Sequence, residues 1–144
     1  MKYKAFEQNL HDQYDSEGKY TVIRFFKERN IEARENPDKY GVDIILYRND
    51  KTIGFAEVEV RLMWKGPKFP YSTVNVPFRK KKLLDNKLPT YFFAVNKDLS
   101  HVLCCDSEII LKCPVEENPN RFVKSDEYFY KIPVEKTKTF SVAT

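Results

Sequence analysis

The spacing of apolar residues changes along the chain, and each change of period predicts an element. In "YDSEGKYTVIRFFKERN", Tyr20, Ile23 and Phe26 or Lys27 recur at helical spacing, and Val22 and Phe25 widen the stripe. This predicts a helix capped by Asp15 or Ser16, with Gly18 as a mild cost near its start. "IEARENPDKYG" predicts a short strand and a Pro/Asp turn. "GVDIILYRNDKTIGFAEVEVR" predicts two strands around a turn. "WKGPKFPYSTVNVP" reads as a proline-interrupted loop, with Pro77 opening a helix in "PFRKKKLLDNK". "TYFFAV" and "HVLCCD" predict strands, "SEIILK" a helical turn or a strand, and "EYFYKIP" a further strand before a polar end expected to fray.

This order of helix, three strands, helix and two strands predicts a single-domain α/β (α+β) fold. A mixed central sheet is flanked by helices.

Three acids break the apolar pattern of the strand pair. Phe55, Glu57, Glu59 and Arg61 share one strand face, while Ala56, Val58 and Val60 share the other. Glu57 and Glu59 then stand roughly 7 Å apart. Asp43 joins them only if the hairpin has the right parity. A two-residue turn at Asn49-Asp50 sets Asp43 against Ala56, whereas a three-residue loop Asn49-Asp50-Lys51 or a β-bulge near Asp43 sets it against Glu57. An odd loop or a bulge is therefore expected.

Three carboxylates on one face repel each other and raise their pKa values or admit a cation. Oxygen ligands of this kind suit Mg²⁺ or Mn²⁺. The alternative is that Arg61 and nearby lysines simply pair Glu57 and Glu59, as on many edge strands.

Net charge is only +4, but its distribution is uneven. Residues 60–84 hold seven basic residues (Arg61, Lys65, Lys68, Arg79, Lys80, Lys81, Lys82) and no acid, interleaved with Trp64, Phe69, Tyr71 and Phe78. A basic segment beside an acidic cluster suits a polyanion met by a metal ion, against the plainer reading of a solvated face. Trp64 and Tyr71 either stack on unpaired bases or, the favoured reading, anchor the loop to the core.

Cys104, Cys105 and Cys113 are odd in number and lack CxxC spacing, so reduced structural thiols are expected over a zinc set with His101. No signal peptide or membrane span is visible, which predicts a cytoplasmic protein. Neither His11 nor His101 lies near the acids by element order.

"GVD" followed by "AEVEV" resembles the PD-(D/E)XK nuclease superfamily, a group with restriction endonuclease-like and Holliday-junction resolvase-like members. The pattern is an acid at the start of one strand and acid-x-Lys on the next. Here Asp43 matches the first acid and Glu57-Val58-Glu59 the second motif, as an ExE variant with Glu59 in place of lysine. Pro37-Asp38 is displaced from the family's Pro-Asp, and Asp38 reads as a turn residue.

The resemblance covers a core of about residues 15–105, leaves 106–144 as an extension, and implies a metal-dependent endonuclease on DNA. Asp43, Glu57 and the Val58 carbonyl would hold Mg²⁺ (or Mn²⁺), Glu59 would position the attacking water, and Glu17 would reinforce the site from the first helix. The missing lysine's charge would come from Lys65, Arg79 or one of Lys80 to Lys82. Arg61, Lys65, Arg79, Lys80, Lys81 and Lys82 would grip backbone phosphates. A homodimer is plausible for duplex cleavage, and the small size is compatible with a phage enzyme in the host cytoplasm. The alternatives are a catalytically silent nucleic-acid-binding module of this fold and a protein-interaction domain.

Overall fold

One hairpin sets the register of the central sheet. In the computed structural model, which describes residues 2–118 and 127–143 (without the side chains of residues 2–12 and 118), β2 (Ile44–Arg48) and β3 (Lys51–Arg61) are joined at Asn49-Asp50. Both turn residues have positive φ, 52° and 62°, as a two-residue turn of matching twist requires. Arg48 pairs with Lys51 and Tyr47 with Thr52, but Leu46 pairs with Gly54, so Ile53 is an extra residue on β3. That bulge shifts the register to Ile44 opposite Ala56, which carries Asp43 to the level of Glu57. The expected parity is thus reached through neither a longer loop nor a bulge near Asp43 but through a bulge at the turn end, with the short turn intact.

The main sheet runs β1-β2-β3-β5-β6-β9, adding β1 (Glu32–Glu35), β5 (Thr90–Asn96), β6 (His101–Asp106) and β9 (Lys138–Ser141). β3 and β5 are parallel, and the other neighbours are antiparallel. β5 is buried along nearly its whole length, as its unbroken apolar run requires of a strand covered on both faces. Gly54 lets the neighbouring chain close in: a Cβ there would meet the Pro89 carbonyl oxygen at 2.6 Å.

The two faces of this sheet are covered differently. Helix α1 (Lys2–Lys27) packs Val22, Phe25 and Phe26 against Ala56, Val58, Phe93 and Val95. Gly18 makes its crossing over β3 possible, since a Cβ there would stand 2.4 Å from Val60 Cγ2. The opposite face carries a second sheet, β4-β8-β7, formed by β4 (Thr73–Pro77), β8 (Glu127–Pro133) and β7 (Val115–Asn118). Trp64, Val74, Val76, Phe92, Ile110 and Ile132 meet in this second core. The result is an α+β fold with a mixed central sheet, as the sequence pattern predicts.

Several boundaries differ from the sequence expectation. α1 begins at Lys2, so Asp15 and Ser16 lie inside it and cap nothing. The "STVNVP" stretch, read as loop, forms β4, and Pro77 ends that strand ahead of a 3-10 turn (Phe78–Lys80) and the short helix α2 (Lys81–Leu84). The undecided "SEIILK" forms α3 (Ser107–Leu111), capped by Asp106, whose side chain accepts from the Glu108 N–H at 2.8 Å. The polar end expected to fray supplies β9, which pairs with β6. All three cysteines are free thiols. Cys104 and Cys105 face opposite cores, and burial pushes both up to about 12. No helix among the described residues is long and apolar enough to cross a membrane.

Candidate active site

Asp43 sits one residue before β2, where the β2–β3 ladder runs out. Side chains take over from backbone there. The Asp43 N–H donates to Glu57 Oε2 at 2.8 Å, and the Val58 N–H donates to Asp43 Oδ2 at 2.8 Å. The two carboxylates are therefore interlocked between the start of β2 and the middle of β3. Both backbone groups of a strand residue face the same neighbour, so the Val58 carbonyl opens toward Asp43 as well.

Glu57 is only 3% exposed, which would be costly for an isolated carboxylate. Its surroundings divide. Burial lifts its carboxyl strongly, the Lys80 ammonium at 3.3 Å pulls it down, and the Asp43 charge pushes it up, leaving it at about 7. Asp43 has its own cation: Lys19 Nζ from α1 lies 3.9 Å from Asp43 Oδ1 and 3.4 Å from both Asp15 and Glu35. Burial works against the Lys19 charge, but Asp15 and then Asp43 outweigh it and hold its pKa above the ordinary lysine value.

The other expected members stand apart. Glu59 turns to Arg61, whose Nε lies 3.4 Å from Glu59 Oε1, and Arg61 also donates to the Asn75 carbonyl. Glu17 is exposed on α1 and accepts from Gln13 Nε2 at 3.5 Å. Among the described residues, no group of three or more His, Cys, Asp or Glu side chains could hold a metal ion. The trio is thus a pair. Two carboxylates and the Val58 carbonyl still suit Mg²⁺, which keeps several of its own waters.

Of the basic candidates, Lys80 is drawn into the site. Arg79 lies 3.8 Å from Glu127, Lys81 rests over the Phe78 ring at 5.9 Å, and Lys65 and Lys82 are exposed. His101 stands at the start of β6, its Nδ1 2.9 Å from Ser100 Oγ, and the side chain of His11 lies outside the described residues. Lys19 was missed by sequence reasoning. Its signal was its place on a helix beside Gly18, where close packing brings polar neighbours onto the sheet edge.

Beyond Glu59 on the same face lies a cavity of about 890 Å³, walled by the end of β3, the following loop, β4 and β8. Trp64 is fully buried beside it, which is the anchoring role favoured from sequence, while Tyr71 is half exposed. No family model, no curated protein and no solved structure matches the chain.

Proposed function

We propose that the chain is a divalent-metal-dependent nuclease acting on DNA in the cytoplasm. The observation that carries this is the interlocked Asp43–Glu57 pair at the end of the β2–β3 ladder, flanked by Lys19 and Lys80. Asp43, Glu57 and the Val58 carbonyl would hold Mg²⁺ or Mn²⁺. When bound, such an ion polarises a phosphodiester oxygen and acidifies a water.

The chain's own groups do the rest. Glu57 must be ionised to act as a ligand, so burial ties site assembly to pH near 7. Lys80 is the cation nearest the pair on its buried side and supplies the positive charge absent from the ExE motif. Glu59 can take a proton from water only after leaving Arg61. Lys65, Arg79, Lys81 and Lys82 are exposed and would hold the phosphate backbone, which positions the strand without reading sequence. Cutting both strands of a duplex calls for a second copy of the site, hence a homodimer on that substrate.

A catalytically silent nucleic-acid-binding module is the second reading. It is favoured by the ion pairs that Glu57 and Glu59 make with Lys80 and Arg61. Incubating linear, nicked, branched and single-stranded DNA with Mg²⁺ or Mn²⁺ separates the two. The parent should cut, and Asp43→Ala should stop cleavage while keeping its fold by circular dichroism. Equal cutting by parent and variant would reject the assignment, and intact DNA throughout with a salt-sensitive gel shift would select the silent module.

A further inference from the structure

Asp43 and Glu57 share one arrangement of partners. On each carboxylate a backbone N–H holds one oxygen: the Val58 N–H donates to Asp43 Oδ2, and the Asp43 N–H donates to Glu57 Oε2. The other oxygen on each faces a lysine. Lys19 Nζ lies 3.9 Å from Asp43 Oδ1, and Lys80 Nζ lies 3.3 Å from Glu57 Oε1. Two ammonium groups balance the charge of the two carboxylates, and one divalent ion would balance it equally. An ion drawn to those oxygens meets the lysines first, because like charges at such distances repel strongly in a covered site.

The two lysines differ in where they can go. Lys19 has two further acids at hand, Asp15 Oδ2 and Glu35 Oε1, each at 3.4 Å. It can leave Asp43 and stay paired. Lys80 has Glu57 as its one ion-pair partner among the described residues. Its side chain is only 14% exposed, and its Nζ stands 5.7 Å from the centre of the Phe92 ring. With Glu57 given up to an ion, Lys80 is a covered charge without an anion, the costly state of a broken buried pair. An incoming anion removes that cost. A phosphodiester oxygen is such an anion, and Mg²⁺ accepts it as a ligand too.

We propose that Lys80 makes metal binding and nucleic-acid binding depend on each other: it closes Glu57 in the empty site and passes to a backbone phosphate when the ion enters. This coupling rests on the metal-site reading above, though not on cleavage, and adds a control to it. The ion alone is held weakly, since it strands Lys80. With a phosphate backbone in place the same ion is held tightly. Coupling between two ligands is reciprocal, so the ion tightens nucleic-acid binding by the same factor. Lys19 stands outside this exchange, because Asp15 and Glu35 keep it paired in either state.

Two titrations test the exchange. Calorimetry measures Ca²⁺ binding without DNA, Ca²⁺ being a hard cation that takes oxygen ligands as Mg²⁺ does. Fluorescence anisotropy measures a labelled single strand of about 12 nucleotides in EDTA and in saturating Ca²⁺. In the parent the ion should tighten strand binding at least about fivefold, and Asp43→Ala should show no such gain. Lys80→Met should bind Ca²⁺ without DNA at least about fivefold more tightly than the parent, and should lose the gain. Lys80→Gln, which keeps an N–H donor toward Glu57, replaces it where Lys80→Met does not fold. Lys19→Met should keep the gain. A Lys80 variant that retains the gain, a Lys19 variant that loses it, or a parent without it would overturn the proposal. Cleavage without coupling would leave the nuclease reading standing alone, and coupling on uncut DNA would keep the exchange in a silent module.

Discussion

The two ends of one face of β3 have opposite character. At the Glu57 end, charge is dense and answered: carboxylate meets backbone N–H, lysine meets carboxylate, and Glu57 is almost wholly covered. At the Arg61 end the wall opens on a large cavity, and three polar atoms are left without partners. A buried charge has to be matched by the fold itself, because leaving it alone costs more than the domain can carry. Single neutral or delocalised groups left unpaired inside the fold cost far less, about 1–3 kcal/mol each. The first end is closed by its own electrostatics, and the second is left open.

The largest expected effect comes from removing the cation that answers Glu57. Lys80→Met should destabilise the protein by about 3–5 kcal/mol at pH 8, where the carboxylate is charged, and far less at pH 5, where it takes up a proton. Equal losses at the two pH values in urea titrations would show that Lys80 matters for packing alone.

The parent should carry a related signature. In the unfolded chain Glu57 titrates near ~4.3, whereas in the fold it does so at about 7. Between these values the folded state keeps a proton that the unfolded state has lost, so stability falls as pH rises through that window and levels off above it. The fall is of order 3–4 kcal/mol at most, and Glu57→Gln should flatten it when the two melting profiles are compared. Because bound metal needs the ionised carboxylate, apparent Mg²⁺ affinity should climb over the same interval.

Smaller effects sharpen the contrast from the open end. Gly18→Ala drives a methyl at Val60, which also lines the cavity. Overpacking of about 1–3 kcal/mol set against a helix-propensity gain of about 1 kcal/mol leaves a modest net loss. Trp64 emission should shift in that variant while the pH dependence assigned to Glu57 stays. Smallest of all, Lys81→Ala with Lys82→Ala should leave stability within about 0.5 kcal/mol. The same pair should lower the salt dependence of DNA binding by roughly two phosphate contacts. An unchanged salt slope would remove these lysines from the interface.

Much of the Glu57 end was legible in the sequence. Alternation put Glu57 and Glu59 on one face, and the parity of the hairpin demanded an irregularity to bring in Asp43. The irregularity's place at Ile53 was not legible, because the Asn49-Asp50 turn satisfies its own local rules and hides the extra residue behind it. Glu59 left the group for Arg61, two residues along the same face, which periodicity places nearby but cannot rank against a metal site. The Arg61 end was largely hidden. Three prolines, Pro67, Pro70 and Pro77, made the stretch around β4 read as loop, so Asn75 was never placed opposite Lys131 on β8. β7 and β9 are short and polar, and they form because longer strands offer them an edge.

The parallel step from β3 to β5 forces the chain out of the central sheet over residues 62–89 before it can return. That single excursion delivers Lys80, Asn75, Trp64 and Tyr71 to the same side. An engineer could therefore exchange this one segment, leaving the sheet scaffold and the Asp43–Glu57 lock untouched, and give the molecule a different appetite.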